Sequence, residues 1–240
     1  MDLHDIKFVN KLASCRVCMV EDKKSGKLLA SCATPVKEGM NILTDSALAI
    51  QARRTIVELL LSDHPNSCLT CTKNLNCQLQ KLAQDLGVRE IPYAGERRHI
   101  PIDDRSLSMV REPEKCILCR RCETMCNEVQ TVGALAEVGR GFDCHVGSTF
   151  NRSMFETTCT FCGQCVTVCP TGALHGMNYI REVWKALSDP KKYVVVQTAP
   201  AVRVALGELF GMEPGTIVTG KMVSALRRLG FDQVFDTNFA

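Results

Sequence analysis

"KCILCRRCETMCNE" runs from Lys115 to Glu128, and "TCTFCGQCVTVCPT" from Thr158 to Thr171. Each stretch holds four cysteines at steps of three, three and four. Cys116, Cys119, Cys122 and Cys126 reappear 43 positions on as Cys159, Cys162, Cys165 and Cys169. The chain has 240 residues and 15 cysteines, about 6% of the chain and below the density of a small disulfide scaffold. Fourteen of them fall in local groups, which points to bound metal rather than to bridges between distant segments.

The spacing C-x2-C-x2-C-x3-C lets one short loop grip three corners of an iron–sulfur cube. The fourth thiol follows after the loop has turned into a helix, points away from its neighbours, and reaches the other cube of the pair. This assigns Cys116, Cys119, Cys122 and Cys169 to one [4Fe–4S] cluster, and Cys159, Cys162, Cys165 and Cys126 to the other. Zinc is the bland alternative. Structural zinc takes two cysteine pairs separated by a long insert, and these eight thiols are too dense for that. The second run ends in Cys-Pro, as the pattern does, whereas the first has Asn127 at the position of that proline. That position shapes the loop exit and supplies no ligand. Two such clusters pass single electrons, at potentials set by hydrogen bonds to sulfur, burial and net charge.

Upstream, "HPNSCLTCTKNLNC" supplies His64, Cys68, Cys71 and Cys77. A helix is expected over "TDSALAIQARRTIVELLLSDH", capped by Thr44 or Asp45, with His64 at its end directly before Pro65. A second helix, about Gln78 to Leu86, should stop at Gly87. Four donors inside fourteen residues predict a [4Fe–4S] site with one imidazole ligand. A neutral imidazole in place of a thiolate makes the site less negative and raises its potential. His4, His99, His145 and His175 have no such spacing and read as ordinary. Cys15, Cys18 and Cys32 resemble three quarters of a ferredoxin-type [2Fe–2S] site. Its fourth cysteine would fall near residues 1–5, where there is none. Asp2, His4 or Asp5 could substitute, but the expectation is that the natural beginning is missing and this cluster incomplete. Cys144, in "RGFDCHVGS", is expected to be an unligated thiol.

After Cys169 no cysteine occurs. "GMNYIREVWKALSDP" reads as an amphipathic helix ending at Pro190, and "KKYVVVQTAP" as a buried strand. "PAVRVALGELFG" and "TGKMVSALRRLG" read as helices closing at Gly211 and Gly230, with a short strand in "FDQVFDTNFA". Strand, helices and strand open a parallel α/β sheet, and two strands are too few to complete one. "GKMVSA" lacks the glycine spacing of a phosphate-binding loop.

The formal charge of +3 treats cysteine as neutral. Two cubes on four thiolates carry −2 each and one on three thiolates carries −1, which takes the loaded chain to about −2. No basic run with interleaved aromatics is present, so nucleic acid is not an expected partner. No basic n-region precedes an apolar run, and no apolar stretch approaches bilayer length. The expected setting is the reducing cytoplasm.

Taken in order, these parts resemble the relay of [FeFe]-hydrogenases (iron-only hydrogenases): a [2Fe–2S] module, a cluster with one histidine and three cysteines, and a double [4Fe–4S] module. The same front modules occur in NADH-quinone oxidoreductases and NAD-dependent formate dehydrogenases. "VVVQTAPAVRVALGELFG" and "VTGKMVSALRRLGFDQVFDTNFA" resemble the opening of the hydrogenase catalytic domain and separate these families. The resemblance implies an α+β fold: a partial β-grasp [2Fe–2S] module (1–44), a helical [4Fe–4S] module (45–103), a double [4Fe–4S] ferredoxin-like module (104–187), and the start of an α/β catalytic domain (188–240). It places Ala199, Pro200 and Ala201 in the wall of the hydrogen-activating pocket, although from the residues alone they are a strand–helix turn. The family holds its active centre on later cysteine motifs, so this stretch is not expected to turn over hydrogen by itself. The implied partners are ferredoxin or a flavin- and NADH-binding subunit in a hetero-oligomer. The rival readings are a stand-alone ferredoxin-like carrier and the relay end of one of the dehydrogenases.

Overall fold

Residues 12–239 are described in a computed structural model of the chain. The fold divides after Met177, one helix before the boundary expected at residue 187. Asp2, His4 and Asp5 lie outside the described residues.

In the first unit, β1 (Met19–Asp22) and β2 (Lys27–Ala30) form an antiparallel hairpin with Met19 opposite Ala30. The turn needs a left-handed residue and Gly26 supplies it at φ +64°. Asp22 closes the turn by accepting a hydrogen bond from Ser25 Oγ at 2.6 Å. β3 (Ile42–Leu43) pairs with the other edge of β1. α1 (Ala47–Asp63) buries Ala49 and Val57 against this sheet and the helix that follows it. Its cap is Ser46, whose side chain accepts from Ala49 N at 3.2 Å, and not the expected Thr44 or Asp45. Thr44 is used differently: its carbonyl accepts from Arg53, which also donates to Met19 O at 2.8 Å. α1 ends at His64 because Pro65 forces the residue before it into extended backbone, here φ −88° and ψ 136°. α2 (Gln78–Asp85) exits through Gly87 at φ +65°, and Val88 N bonds back to Ala83 O at 2.9 Å.

The two cysteine runs fold as near copies. Leu118 and Phe161 both take left-handed φ, 54° and 55°, and so do Arg120 and Gly163, 59° and 74°. These bends aim the loops before α3 (Arg121–Thr124) and α4 (Gln164–Val168). The exits differ. Pro170 ends the second copy with Cys169 in extended backbone at φ −70° and ψ 120°. Asn127, the counterpart of Pro170, lets the chain run on as a wide π turn over Met125–Val129. Its Nδ2 then donates to Leu135 O at 3.1 Å. Two short antiparallel pairs bracket the copies. β4 (Met109–Arg111) lies on β7 (Leu174–Gly176), and β5 (Ala136–Val138) on β6 (His145–Gly147). The core gathers Met109, Leu135, Val146, Met154 and Leu174 around Cys122, Cys165 and Cys169.

The second unit holds α5 (Ile180–Leu187), β8 (Val195–Thr198), α6 (Pro200–Leu209), α7 (Thr219–Leu229) and β9 (Gln233–Asp236). β8 and β9 are parallel, with Val195 opposite Gln233 and Thr198 opposite Asp236. α5 is shorter than its amphipathic pattern suggests, because Gly176 is taken by β7 and Asn178 Oδ1 accepts from Ile180 N at 3.0 Å to start the helix. Gly211 and Gly230 close α6 and α7 with φ of +73° and +107°. Helices and strands together give the chain a mixed α+β character.

Candidate metal centres

Three cavities in the first unit are walled by the predicted ligands. Cys116, Cys119, Cys122 and Cys169 line one of them. Cys159, Cys162 and Cys165 line a second together with Cys126, the fourth cysteine of the other run. The crossing follows from the folds of α3 and α4, which carry each last cysteine to the neighbouring loop. His64, Cys68, Cys71 and Cys77 line the third.

The donor chemistry fits an iron–sulfur cube. Among the described residues, no three such donors converge tightly enough for a single ion. They surround cavities instead, which suits a larger group. Burial, with neighbouring thiols adding to it, pushes the Cys165 thiol up to about 12. Burial also pushes Cys116 and Cys119 up, and Cys122 well above the usual thiol range. Such thiols stay protonated until a cation draws the proton off. Backbone amides are aimed at the sulfurs: Leu118 N to Cys116 Sγ and Phe161 N to Cys159 Sγ, each 3.4 Å, and Ala134 N to Cys126 Sγ, 3.3 Å. The first two are counterparts in the repeat and stem from the left-handed residues.

At the third cavity, His64 Nδ1 lies 2.9 Å from Pro65 O. A carbonyl only accepts, so Nδ1 carries the proton and Nε2 keeps its lone pair. That Nε2 is buried without a partner, which is the state of a nitrogen ready for metal. Burial holds the imidazole pKa below its ordinary value, so the ring stays neutral. The third site abuts the first. Cys77 Sγ lies 3.7 Å from Pro170 O, and Gln78 N donates to the same carbonyl at 3.0 Å. A Cβ on Gly172 would stand 2.6 Å from Cys71 Sγ. One peptide, Cys169–Gly172, thus serves both sites.

Cys18 Sγ and Cys32 Sγ lie 3.4 Å apart at the edge of the β1–β2 hairpin, and Cys15 interacts with Cys32. Burial and Cys18 push the Cys32 thiol up to about 11. Cys144 is not without company: its thiol donates to Glu137 Oε1 at 3.0 Å. His145 is buried, with Nδ1 2.9 Å from Asp143 O and Nε2 3.2 Å from Asn151 Oδ1. Ala199 is the N-cap of α6 and Pro200 and Ala201 are its first residues, all three exposed.

Four residues around these cavities carry no local sequence signal. Arg98 is buried and spans two sites. It pairs with Asp63, next to His64, and donates to Cys116 O at 2.8 Å and Cys144 O at 3.0 Å. Lys115 lines the third cavity and is held by Glu112 at 2.7 Å. Leu135, 1% exposed, lines both the first and the second cavity. Arg111 walls the first.

Known proteins share these parts. Residues 5–47 match the family described as 2Fe-2S iron-sulfur cluster binding domain, and 53–92 the NADH-ubiquinone oxidoreductase-G iron-sulfur binding region. Residues 154–175 match the 4Fe-4S binding domain, and 192–240 the iron only hydrogenase large subunit, C-terminal domain. The chain is 56% identical over its whole length to the NADP-reducing hydrogenase subunit HndD of Solidesulfovibrio fructosivorans, covering 41% of it. It is 35% identical over 96% of its length to iron hydrogenase 1 of Clostridium pasteurianum, covering 40% of that protein. The chain thus spans about two fifths of these curated relatives. An NADH-quinone oxidoreductase subunit of Rhizobium meliloti is 36% identical over 70% of the chain and 20% of its own length. Among solved structures, an NAD+-reducing [NiFe]-hydrogenase in the H2-reduced state superposes with a TM-score of 0.64 at 28% identity, over 70% of each chain. No helix among the described residues is long and apolar enough to cross a membrane. The chain belongs to the iron-only hydrogenases, and corresponds to the N-terminal, iron–sulfur electron-relay region of that family.

Proposed function

We propose that the chain holds three [4Fe–4S] clusters and ligands of a [2Fe–2S] cluster, and carries electrons between an external carrier and a hydrogen-activating centre. The carrier is ferredoxin or a flavin- and NADH-binding subunit, met in a cytoplasmic hetero-oligomer. The relatives named as subunits of NADP-reducing hydrogenase and NADH-quinone oxidoreductase support that last point. When bound, the clusters supply reversible one-electron chemistry that no side chain of this protein has. The residues do the rest. Cys116, Cys119, Cys122 and Cys169 hold one cluster; Cys126, Cys159, Cys162 and Cys165 hold the second; His64, Cys68, Cys71 and Cys77 hold the third. Cys15, Cys18 and Cys32 supply three ligands of the [2Fe–2S] site. We read 1–44 as a β-grasp [2Fe–2S] module, 45–103 as the histidine-ligated module, 104–187 as the double ferredoxin-like module, and 188–240 as part of the catalytic domain, with Ala199, Pro200 and Ala201 toward its active centre.

The observation that carries this reading is the lining of the second cavity by Cys126 with Cys159, Cys162 and Cys165. Two independent four-cysteine sites would not exchange their last ligand. The dehydrogenase-relay reading is weaker, because residues 192–240 match the hydrogenase domain and the NADH-quinone oxidoreductase relative aligns with only 70% of the chain.

The test is anaerobic reconstitution with iron and sulfide, which should load about twelve irons into the [4Fe–4S] sites. Cys126→Ala should abolish the cluster whose other ligands are Cys159, Cys162 and Cys165, and Cys169→Ala the other, as read by electron paramagnetic resonance. Loss of the same-run cluster in each variant, or stoichiometric zinc in place of iron, would overturn the assignment.

A further inference from the structure

The 43-residue repeat makes the two ferredoxin-run cavities comparable position by position, and they are not alike. Arg111 precedes Cys116 by the same interval that Met154 precedes Cys159. Arg111 lines the first cavity and Met154 the second. Arg120 lines the first, and its counterpart Gly163 the second. Among the described residues, no charged side chain lines the second cavity.

The two arginines are not equivalent. Arg120 is spent on carboxylates, with Glu123 at 2.7 Å and Glu137 at 2.8 Å. Arg111 is 5% exposed and less fully used. Its Nη1 and Nη2 reach Val146 O and Asn151 Oδ1 only at 3.5 Å, and Asp103 stands 3.8 Å away. Asp103 is itself engaged by Ser153 Oγ at 2.7 Å and Met154 N at 2.9 Å. The Nε–H of Arg111 is buried and has no acceptor at all. A buried guanidinium N–H without a partner costs free energy comparable to a lost charged hydrogen bond. It is retained where something else accepts from it.

We propose that Arg111 tunes the cluster held by Cys116, Cys119, Cys122 and Cys169, donating its Nε–H to sulfur in that cavity and setting this cluster at a higher potential than its twin. The inference rests on the ligand reading above. A donor and a fixed positive charge both favour the reduced, more negative state of a cluster. Met154 offers the twin neither.

The experiment is a potentiometric titration of the reconstituted chain, followed by electron paramagnetic resonance. Cys169→Ala and Cys126→Ala identify which signal belongs to which cluster. Wild-type protein should show the Cys169-dependent cluster reduced first. Arg111→Met should lower its ratio of reduced to oxidised form at fixed ambient potential about tenfold, a shift of about 59 mV for one electron. The Cys126-dependent cluster should stay where it was. Arg111→Lys, which keeps charge and a donor, should recover part of the shift. An unchanged Cys169-dependent midpoint in Arg111→Met, or equal shifts of both clusters, overturns the proposal while the ligand assignment stands. If Cys169→Ala removes the wrong signal, the assignment fails and this inference with it. Should Arg111→Met not fold, electron–nuclear double resonance on wild-type protein exchanged into D2O decides. An exchangeable proton coupled to the reduced Cys169-dependent cluster, beyond those of the backbone amides seen in its twin, supports the proposal, and its absence refutes it.

Discussion

Replacing Gly172 by alanine adds one methyl group to the wall between two sites. The new Cβ would lie 2.6 Å from Cys71 Sγ, 3.4 Å from Lys115 Cδ and 3.7 Å from Thr72 Oγ1. A relaxed contact needs about 3.5 Å or more, so the thiol must retreat by roughly 0.9 Å. Metal sites tolerate ligand displacements of about 0.2 Å. The push is therefore about four times what the site absorbs, and the neighbouring backbone is fixed by Cys169 on one side and β7 on the other. Overpacking of this kind costs about 1–3 kcal/mol, equivalent to a 5- to 150-fold weaker hold on the cluster. Iron and sulfide per chain after anaerobic reconstitution and gel filtration measure the effect. We expect about four irons to be lost, all from the histidine-ligated site, with both ferredoxin-run signals intact. Gly176→Ala is the control, since its nearest neighbour, Ser108 O, would be 3.9 Å away and its φ is not left-handed. Full iron loading and an unaltered histidine-site spectrum in Gly172→Ala would show that Cys71 is not a ligand pressed against this wall.

Arg98→Ala removes the guanidinium from Asp63 and from two carbonyls, and should cost the loaded protein about 3 kcal/mol in a urea melt, the lower end for breaking a buried pair because Asp63 keeps some solvent and the N–H of residue 98 at 3.0 Å. Ser46→Ala removes the cap of α1 and should cost about 1 kcal/mol without changing iron content. Burial and Glu137 push the Cys144 thiol up to about 11, so alkylation at pH 8 should be slow and should accelerate as pH rises toward 11. Glu137→Gln removes the repelling carboxylate, lowers that pKa and should speed the reaction at pH 8, as read by peptide mass mapping. Stripping iron with a chelator should melt the first unit's cysteine-lined core, because Cys122, Cys165 and Cys169 are part of it. A cooperative thermal transition in the iron-free protein at the loaded protein's temperature would count against this.

The cysteine runs are legible in the sequence because cluster geometry imposes a local spacing, and the crossed fourth ligand follows from where a short helix aims it. The His64 site is legible for the same reason, with Pro65 fixing the end of α1. The cap of α1 falls one or two residues beyond the expected position because Thr44, Asp45 and Ser46 are all good caps. Tertiary contacts decide among them, through Arg53 taking the Thr44 carbonyl. Asn127 reads as a minor departure, yet without a proline the chain continues as a π turn and delivers its amide to Leu135 O. Arg98 gives no local sign of its role. It sits in a stretch without regular structure, and its partners are 35, 18 and 46 residues away. Arg111 is within reach of sequence reasoning, since aligning the repeat beyond its cysteines sets it against Met154.

Because each four-cysteine cavity draws its last sulfur from the opposite run, neither is complete in a nascent chain that has only just exposed Cys126. The ribosome must deliver both runs before either cavity can close. Gly172, which completes the wall at Cys71, emerges later still. Whatever delivers iron to this protein therefore finds the two ferredoxin-run sites completed almost together, well after the four donors of the His64 site have emerged.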